Sequence, residues 1–275
     1  MALGSVLAYK AVGHFSFLIF LLTLITALSV HAAGNIVNTY FDYQRGIDNK
    51  ASDDRTLVDK ILSTEDIQWL GMALYTVGIV GFLLLCVFSS AEVEHLALIF
   101  FCGLSGSFMY TGGLGFKYMA LGDVLIFFTF GPVSVMFAFL TQAGQISVIT
   151  LLYAIPLALN IIAILHANNT RDMESDKKAR IVTVAILLGW TGSYLLFISL
   201  LFLPYILLVQ GALHVSKWML LPVLTIQEAF NIERQFRAKD LNKIPQRVAK
   251  LNFLIGMLYV IAVCLCSNKD LPTLI

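Results

Sequence analysis

The chain has 275 residues, 59% of them hydrophobic and 13% charged, with a mean hydropathy of +0.84. A water-soluble domain of that length cannot hide so much apolar surface, so lipid is its solvent. The formal net charge of +1 carries no bias towards nucleic acid or acidic partners. Cys86, Cys102, Cys264 and Cys266 all fall inside apolar runs, where packing accounts for them and the spacing of a four-ligand zinc site is missing.

In chain order, the opening "MALGSVLAY" is about half of the ~20 residues that a span requires, and it ends at Lys10. Residues 1–12 therefore read as the remnant of a truncated first helix. Eight runs are long enough to cross, at about 14–41, 67–88, 95–113, 120–141, 147–167, 181–203, 212–233 and 250–267. The first of these, between Lys10 and "HAAG", has some features of a signal peptide. It outlasts a typical apolar signal core and leads straight into a polar cluster, so a spanning helix is expected. Glycine and proline interrupt three runs ("FTFGPVSV", "LLGWTGS", "LLPVLT"), which membrane helices tolerate where neighbours satisfy the freed backbone groups.

All but three of the 18 lysines and arginines lie in alternate loops, and only Lys10, Lys217 and Lys269 lie on the opposite side. The alternation agrees with every assigned span, and the positive-inside rule makes the basic face cytosolic. On that face lie two oxygen-rich clusters. The first, "NTYFDYQRGIDNKASDDRTLVD", carries five aspartates, and its Asn38 and Asp42 are one helical step of four apart. The second, "NNTRDMESDKKAR", repeats that step through Asn168, Asp172 and Asp176. Four crossings separate their parent helices, which therefore run in one direction and suggest two halves of one cavity. Paired carboxylate and amide oxygens suit Mg²⁺, a hard cation completed by water and phosphate oxygens, so a diphosphate clamp is the expected chemistry. Arg45, Arg55, Lys117, Arg171 and Lys177 are cations placed to assist. Between the clusters, "YTGGLGFKYMALGD" surrounds Lys117 with glycines that permit close backbone approach, and Asp123 then opens the next helix, where a carboxylate suits the dipole. A tight interhelical turn with Lys117 reaching the headgroups reads equally well from these residues alone.

The segments "GNIVNTYFDYQRGIDNKASDDRTLVD", "GLSGSFMYTGGLGFKYMALGD" and "HANNTRDMESDKKARIVT" resemble the signature segments of the UbiA superfamily of intramembrane prenyltransferases, and the likeness extends over nearly the whole chain. The resemblance implies one all-α integral membrane domain over 1–275, a bundle of nine helices in the family and here eight full spans plus the shortened first. It implies magnesium-dependent transfer of a prenyl group, geranylgeranyl by the animal relatives, from an allylic diphosphate to a reduced naphthoquinone (menadiol), giving menaquinone, with a benzoquinone precursor of ubiquinone as the alternative acceptor. Asn38 and Asp42 would hold one metal, and Asp172 and Asp176 the other. Lys117 would hold diphosphate, with Arg55, Asn169, Arg171 and Tyr110 as further contacts. Asp54, Asn168 and Asp123 would shape the loops, and Asp48 would take the proton. Tyr40, Phe41, Tyr43, Tyr110, Phe127, Phe128 and Tyr153 are candidates to face an allylic cation. The animal relatives also imply the endoplasmic reticulum or Golgi, and partners among membrane proteins of the sterol pathway.

Two departures stand out. The family has a full first helix where this chain shows "MALGSVLAYK", which leaves open a prenyl-diphosphate or sterol-responsive binding protein without turnover. Gln227 and Glu228 interrupt the apolar run 212–233, and are expected to reach headgroup water. A transporter is disfavoured, because the aspartates gather at one interface and not at the midplane. A glycosylation acceptor placed beside Asp53 is expected to stay unmodified in cells; its modification in the lumen would reverse the orientation.

Overall fold

The structure, a computed structural model of the chain, describes residues 1–50, 52, 54–268 and 271; Asp53 and Lys269 lie outside them. The described residues form an all-helical bundle, with a single isolated bridge between Met119 and Val182 in place of any sheet.

The helices are α1 (Ala2–Val12), α2 (Phe17–Gln44), α3 (Thr64–Phe88) and α4 (Val93–Met109), then α5 (Gly122–Phe128), which runs through a π-helical turn (Thr129–Val133) into α6 (Ser134–Ala143). They continue as α7 (Ile149–Arg171), α8 (Met173–Lys178), α9 (Val184–His214), α10 (Ile226–Arg237) and α11 (Ile244–Leu265). Local chemistry sets several boundaries. The Ser16 and Thr183 hydroxyls accept from the Ile19 and Ile186 amides to open α2 and α9. Ser63 and Asp66 make a reciprocal capping box at the start of α3, and Pro245 sits in the first turn of α11.

Among the described residues, six segments are long and apolar enough to cross a bilayer, the α5–α6 composite counting as one. The expected spans 95–113 and 212–233 take other forms. The former is the 17-residue α4. The latter is divided: α9 continues to His214, Lys217–Thr225 forms a 3-10 helix around Pro222, and α10 follows. At ~2.0 and ~1.5 Å per residue, the 3-10 helix and α10 together reach about 36 Å, enough to return across a hydrocarbon core. Glu228 does not look out to headgroups alone, since its carboxylate accepts from Arg247 Nη2 at 2.6 Å and Nε at 3.1 Å.

The three interrupted runs are where helical geometry changes. Proline and glycine in "FTFGPVSV" fall in the π-helical turn, whose widened backbone is met by Ser134 Oγ donating to the Thr129 carbonyl at 2.7 Å. In "LLGWTGS" the chain breaks at Gly189 (φ 62°, ψ −176°), and Ser193 Oγ spans the break to the Ala185 carbonyl at 3.2 Å. Side chains thus satisfy backbone groups that the helix has released, as an apolar medium requires.

Two packed regions frame the interior. One joins α1, α6, α7, α9, α10 and α11 around Phe139, Phe197, Leu201, Phe236 and Ile255. The other joins α3, α4 and α6 around Phe82, Leu85, Leu96 and Phe100. Helix α1 belongs to the first: Leu3, Leu7 and Ala8 are buried, and Lys10 Nζ donates to the Cys266 carbonyl at 2.8 Å. Closest approach of the π-helical turn to α7 occurs at Gly131, where a Cβ would stand 2.4 Å from the Ala158 Cβ. Gly131→Val is therefore expected to cost about 1–3 kcal/mol by overpacking and to lower the midpoint of thermal unfolding in detergent; an unchanged midpoint would contradict this packing.

Candidate functional site

Helix α2 brings Asn38 and Asp42 to the basic face of the bundle. Asp42 is 3% exposed, and so deep a carboxylate requires a counter-charge and donors for both oxygens. Lys117 Nζ donates to Asp42 Oδ2 at 2.5 Å and to Asn38 Oδ1 at 3.0 Å, while the Tyr118 hydroxyl donates to Asp42 Oδ1 at 2.8 Å. Arg45 stacks over the Tyr118 ring, its guanidinium carbon 3.9 Å from the centroid.

The glycine loop makes this reach possible. Gly115 has φ +65°, and a Cβ there would meet the Tyr118 ring at 2.7 Å. The following 3-10 turn, Phe116–Tyr118, delivers Lys117 and Tyr118 together to the end of α2. The same loop is stitched to the second cluster through its backbone: the Ala120 amide donates to the Val182 carbonyl at 2.7 Å, and the Val182 amide to the Tyr118 carbonyl at 3.2 Å. The loop thereby joins the two clusters.

In the second half the pattern recurs. Arg171 donates through Nε and Nη2 to the two oxygens of Asp172, both at 2.7 Å, and through Nη2 to Asn168 Oδ1 at 2.8 Å. Each Asn/Asp pair separated by four residues is thus gripped by one cationic side chain. Asn169 Nδ2 reaches Asp123 Oδ1 at 3.3 Å, and Asp123 Oδ2 is buried with no hydrogen-bond partner among the described residues.

One cavity of about 480 Å³ connects the halves. Asn38, Tyr110, Lys117, Asn168 and Asn169 supply polar groups to its wall, and apolar side chains of α2, α4 and the π-helical turn line the rest. Convergence of the clusters also appears in their charge. The Asp176 carboxyl is pushed up to about 6 by burial and by the Asp172 carboxylate, with the Lys117 cation opposing and Asp42 adding to the rise. Asp48 is likewise pushed up to about 6, by burial first, then by Asp42 and Asp54, against Lys117. Asp54 shifts the other way: burial works against it, yet the Thr39 hydroxyl at 2.6 Å and the Thr56 amide at 2.9 Å hold it below the usual range.

The structure separates the expected residues into groups. Asn38, Lys117, Tyr110, Asn168 and Asn169 meet on the cavity wall; Asp42, Arg171, Asp172 and Asp176 stand in bonds or charge contact with them. Asp54 ties the loop to Thr39 of α2. Arg55 is not brought to the cavity: it pairs with Asp59 at 2.6 Å on the exposed surface. Asp48 is also off the cavity wall. Tyr118, His31, Asn35 and Phe130 escaped the sequence reading. The signal for Tyr118 was its place beside Lys117 in the glycine loop, and that for His31 and Asn35 was the helical step that leads to Asn38.

Among the described residues no three His, Cys, Asp or Glu side chains converge as a closed metal cage. Each half instead offers an amide oxygen and a carboxylate already occupied by a cation, and behind Asn169 lies a buried Asp123 oxygen without a hydrogen-bond partner among the described residues. That donor set fits Mg²⁺, which binds through one or two carboxylates and keeps positions for water and phosphate.

Folding raises the Asp176 pKa, so ionisation costs stability above about pH 6 and costs nothing below about pH 4, where both states are protonated. In metal-free detergent, Asp176→Asn is therefore expected to raise the midpoint of thermal unfolding at pH 7.5 and to leave it unchanged near pH 3.5. A midpoint that falls at pH 7.5 would contradict this electrostatic reading.

Residues 1–258 match the UbiA prenyltransferase family. The chain is 54% identical over 274 residues to UbiA prenyltransferase domain-containing protein 1 of Mus musculus, covering 100% of this chain and 82% of that protein. It is 54% identical over 274 residues to the Drosophila melanogaster homolog, with 98% and 76% covered. An apo structure of a UbiA homolog from Aeropyrum pernix K1 superposes with a TM-score of 0.74 at 15% identity, over 94% of this chain and 95% of that one. A UbiA homolog from Archaeoglobus fulgidus, in a structure bound to GPP and Mg²⁺, gives a TM-score of 0.62 at 16% identity, with 96% and 95% covered.

Proposed function

The chain belongs to the UbiA prenyltransferase family, and from that premise we propose that this membrane-embedded prenyltransferase moves a geranylgeranyl group from its diphosphate to menadiol, forming menaquinone. The observation that carries the reading is the convergence of both Asn/Asp pairs and Lys117 on the mouth of one cavity whose interior is apolar. The GPP and Mg²⁺ in the Archaeoglobus fulgidus structure support the same donor and metal here. The naphthoquinol acceptor follows from the motif segments that carry the animal resemblance. The mouth faces the cytosol in this reading, and the endoplasmic reticulum or Golgi is the membrane.

Asn38 and Asp42 would hold one Mg²⁺, and Asp172 and Asp176 a second. Magnesium bound there supplies positive charge to the diphosphate oxygens. The chain's own contribution begins with the cations that now grip these pairs. Lys117 and Arg171 lie beside the mouth, and on substrate entry their N–H groups turn from carboxylate to diphosphate, stabilising it as the allylic C–O bond breaks. Tyr110 and Asn169 add donors at the same rim. The interior walls exclude water from the allylic cation, and Phe130 on the π-helical turn presents an aromatic ring to that space. Asp48 and Asp54, both off the cavity wall, act on the loop's charge and shape.

Purified full-length protein in lipid nanodiscs, given geranylgeranyl diphosphate, Mg²⁺ and menadiol, is expected to release menaquinone by mass spectrometry. Asp42→Asn and Asp172→Asn should each lower kcat by about 100-fold or more while the protein still inserts. Lys117→Ala should raise the KM for the prenyl diphosphate by about tenfold or more, the loss of a charged hydrogen bond. Unchanged turnover in both aspartate variants would overturn the metal assignment.

A further inference from the structure

We propose that His31 is the acceptor-side catalytic residue, binding the ring hydroxyl of the aromatic substrate and holding its proton during transfer. This assignment rests on the prenyl-transfer reading above. His31 lies on the cavity wall, in the same helix as Asn38 and Asp42. Seven residues separate it from Asn38, so the two share one face of α2 with about 10 Å between them along the axis. Asn35 occupies the turn between them and also lines the cavity. Neither the His31 nor the Asn35 side chain has a hydrogen bond among the described residues, and both are exposed to this space.

A second feature fixes where the imidazole sits. The Phe130 ring meets it edge-on, with centroids 4.8 Å apart and planes at 82°. Phe130 belongs to the π-helical turn, a rare backbone form that often re-aims side chains at functional sites. His31 lines the cavity with no hydrogen-bond partner for its imidazole among the described residues, so its ring is available to a ligand that can donate or accept there. A prenyl tail offers no donor or acceptor. A phenolic hydroxyl offers both.

Depth supports the same choice. A diphosphate held at Asn38 and Lys117 places its first prenyl carbon just inside the mouth, and an aromatic ring stacked against that carbon extends inward. About 10 Å matches the sum of those pieces down to a ring hydroxyl. In the reaction, the hydroxyl proton passes to a His31 nitrogen as the ring carbon attacks the first prenyl carbon. A C–C bond forms, the C–O bond breaks, and its electron pair leaves with diphosphate. The ring C–H proton is then lost to the departing diphosphate, and the imidazolium returns its proton to the oxygen, restoring the hydroquinone.

The test uses full-length protein in nanodiscs with geranylgeranyl diphosphate, Mg²⁺ and menadiol. His31→Phe is expected to lower kcat/KM for menadiol by about 100-fold, with the KM for prenyl diphosphate within twofold of wild type. His31→Gln, which keeps a hydrogen-bond partner and cannot carry the proton, should restore the menadiol KM but not kcat. Blocking the hydroxyls of menadiol as methyl ethers should remove the difference between wild type and variants. Equal binding of the prenyl diphosphate by all three proteins reports an intact fold; if His31→Phe loses it, His31→Gln decides alone. A variant whose menadiol kinetics equal wild type, or whose defect falls on the prenyl diphosphate KM, would overturn the assignment while leaving prenyl transfer standing. Wild-type protein that forms no product would overturn the transfer reading and this assignment with it.

Discussion

A carboxylate buried at the end of a membrane helix must be neutralised, and Asp42 is neutralised by Lys117. That pairing joins α2 to the loop after α4, orders the glycine turn that presents Tyr118, and, through the Val182 bridge, ties the first half of the bundle to the second. Without a cation at that point, the Asp42 charge would stand against desolvation alone, and the mouth would have no fixed shape.

The pairing also explains why the site can be both stable and receptive. Lys117 over Asn38 and Asp42, and Arg171 over Asn168 and Asp172, are the same device built from different cations. Each keeps an oxygen pair saturated while no substrate is bound. In the proposed reaction, a metal diphosphate would bring the cation that the oxygens need and the anion that the lysine and arginine need, so partners would exchange without leaving any charge bare. Burial first, and neighbouring carboxylates second, push the Asp48 and Asp176 carboxyls up to about 6, with Lys117 opposing both shifts.

Much of this was legible in the residues. Apolar runs set the helices, and the breaks at "FTFGPVSV", "LLGWTGS" and "LLPVLT" fell where the backbone leaves α-helical geometry, because glycine and proline act locally. The step of four that joins Asn38 to Asp42 and Asn168 to Asp172 placed those pairs on helix faces. What depends on tertiary contact was hidden. Arg55 looked like an available cation, but Asp59 one turn away captures it. The run 212–233 looked like one helix, whereas a 3-10 segment around Pro222 divides it and Glu228 pairs with Arg247 of α11, a contact between distant elements that no local pattern shows. His31 drew no attention although its helical step to Asn38 was readable, because a step of that kind is common in an apolar run; its place on the cavity wall shows only in the packing of α2 against the π-helical turn.

The most direct test is a cryo-EM structure of the full-length protein with Mg²⁺ and a non-reactive thiodiphosphate analogue of the prenyl donor. Density for a metal against each Asn/Asp pair is expected, with Lys117 turned off Asp42 onto the diphosphate. A diphosphate bound at only one pair, with Lys117 still on Asp42, would contradict the exchange of partners on which the account is built.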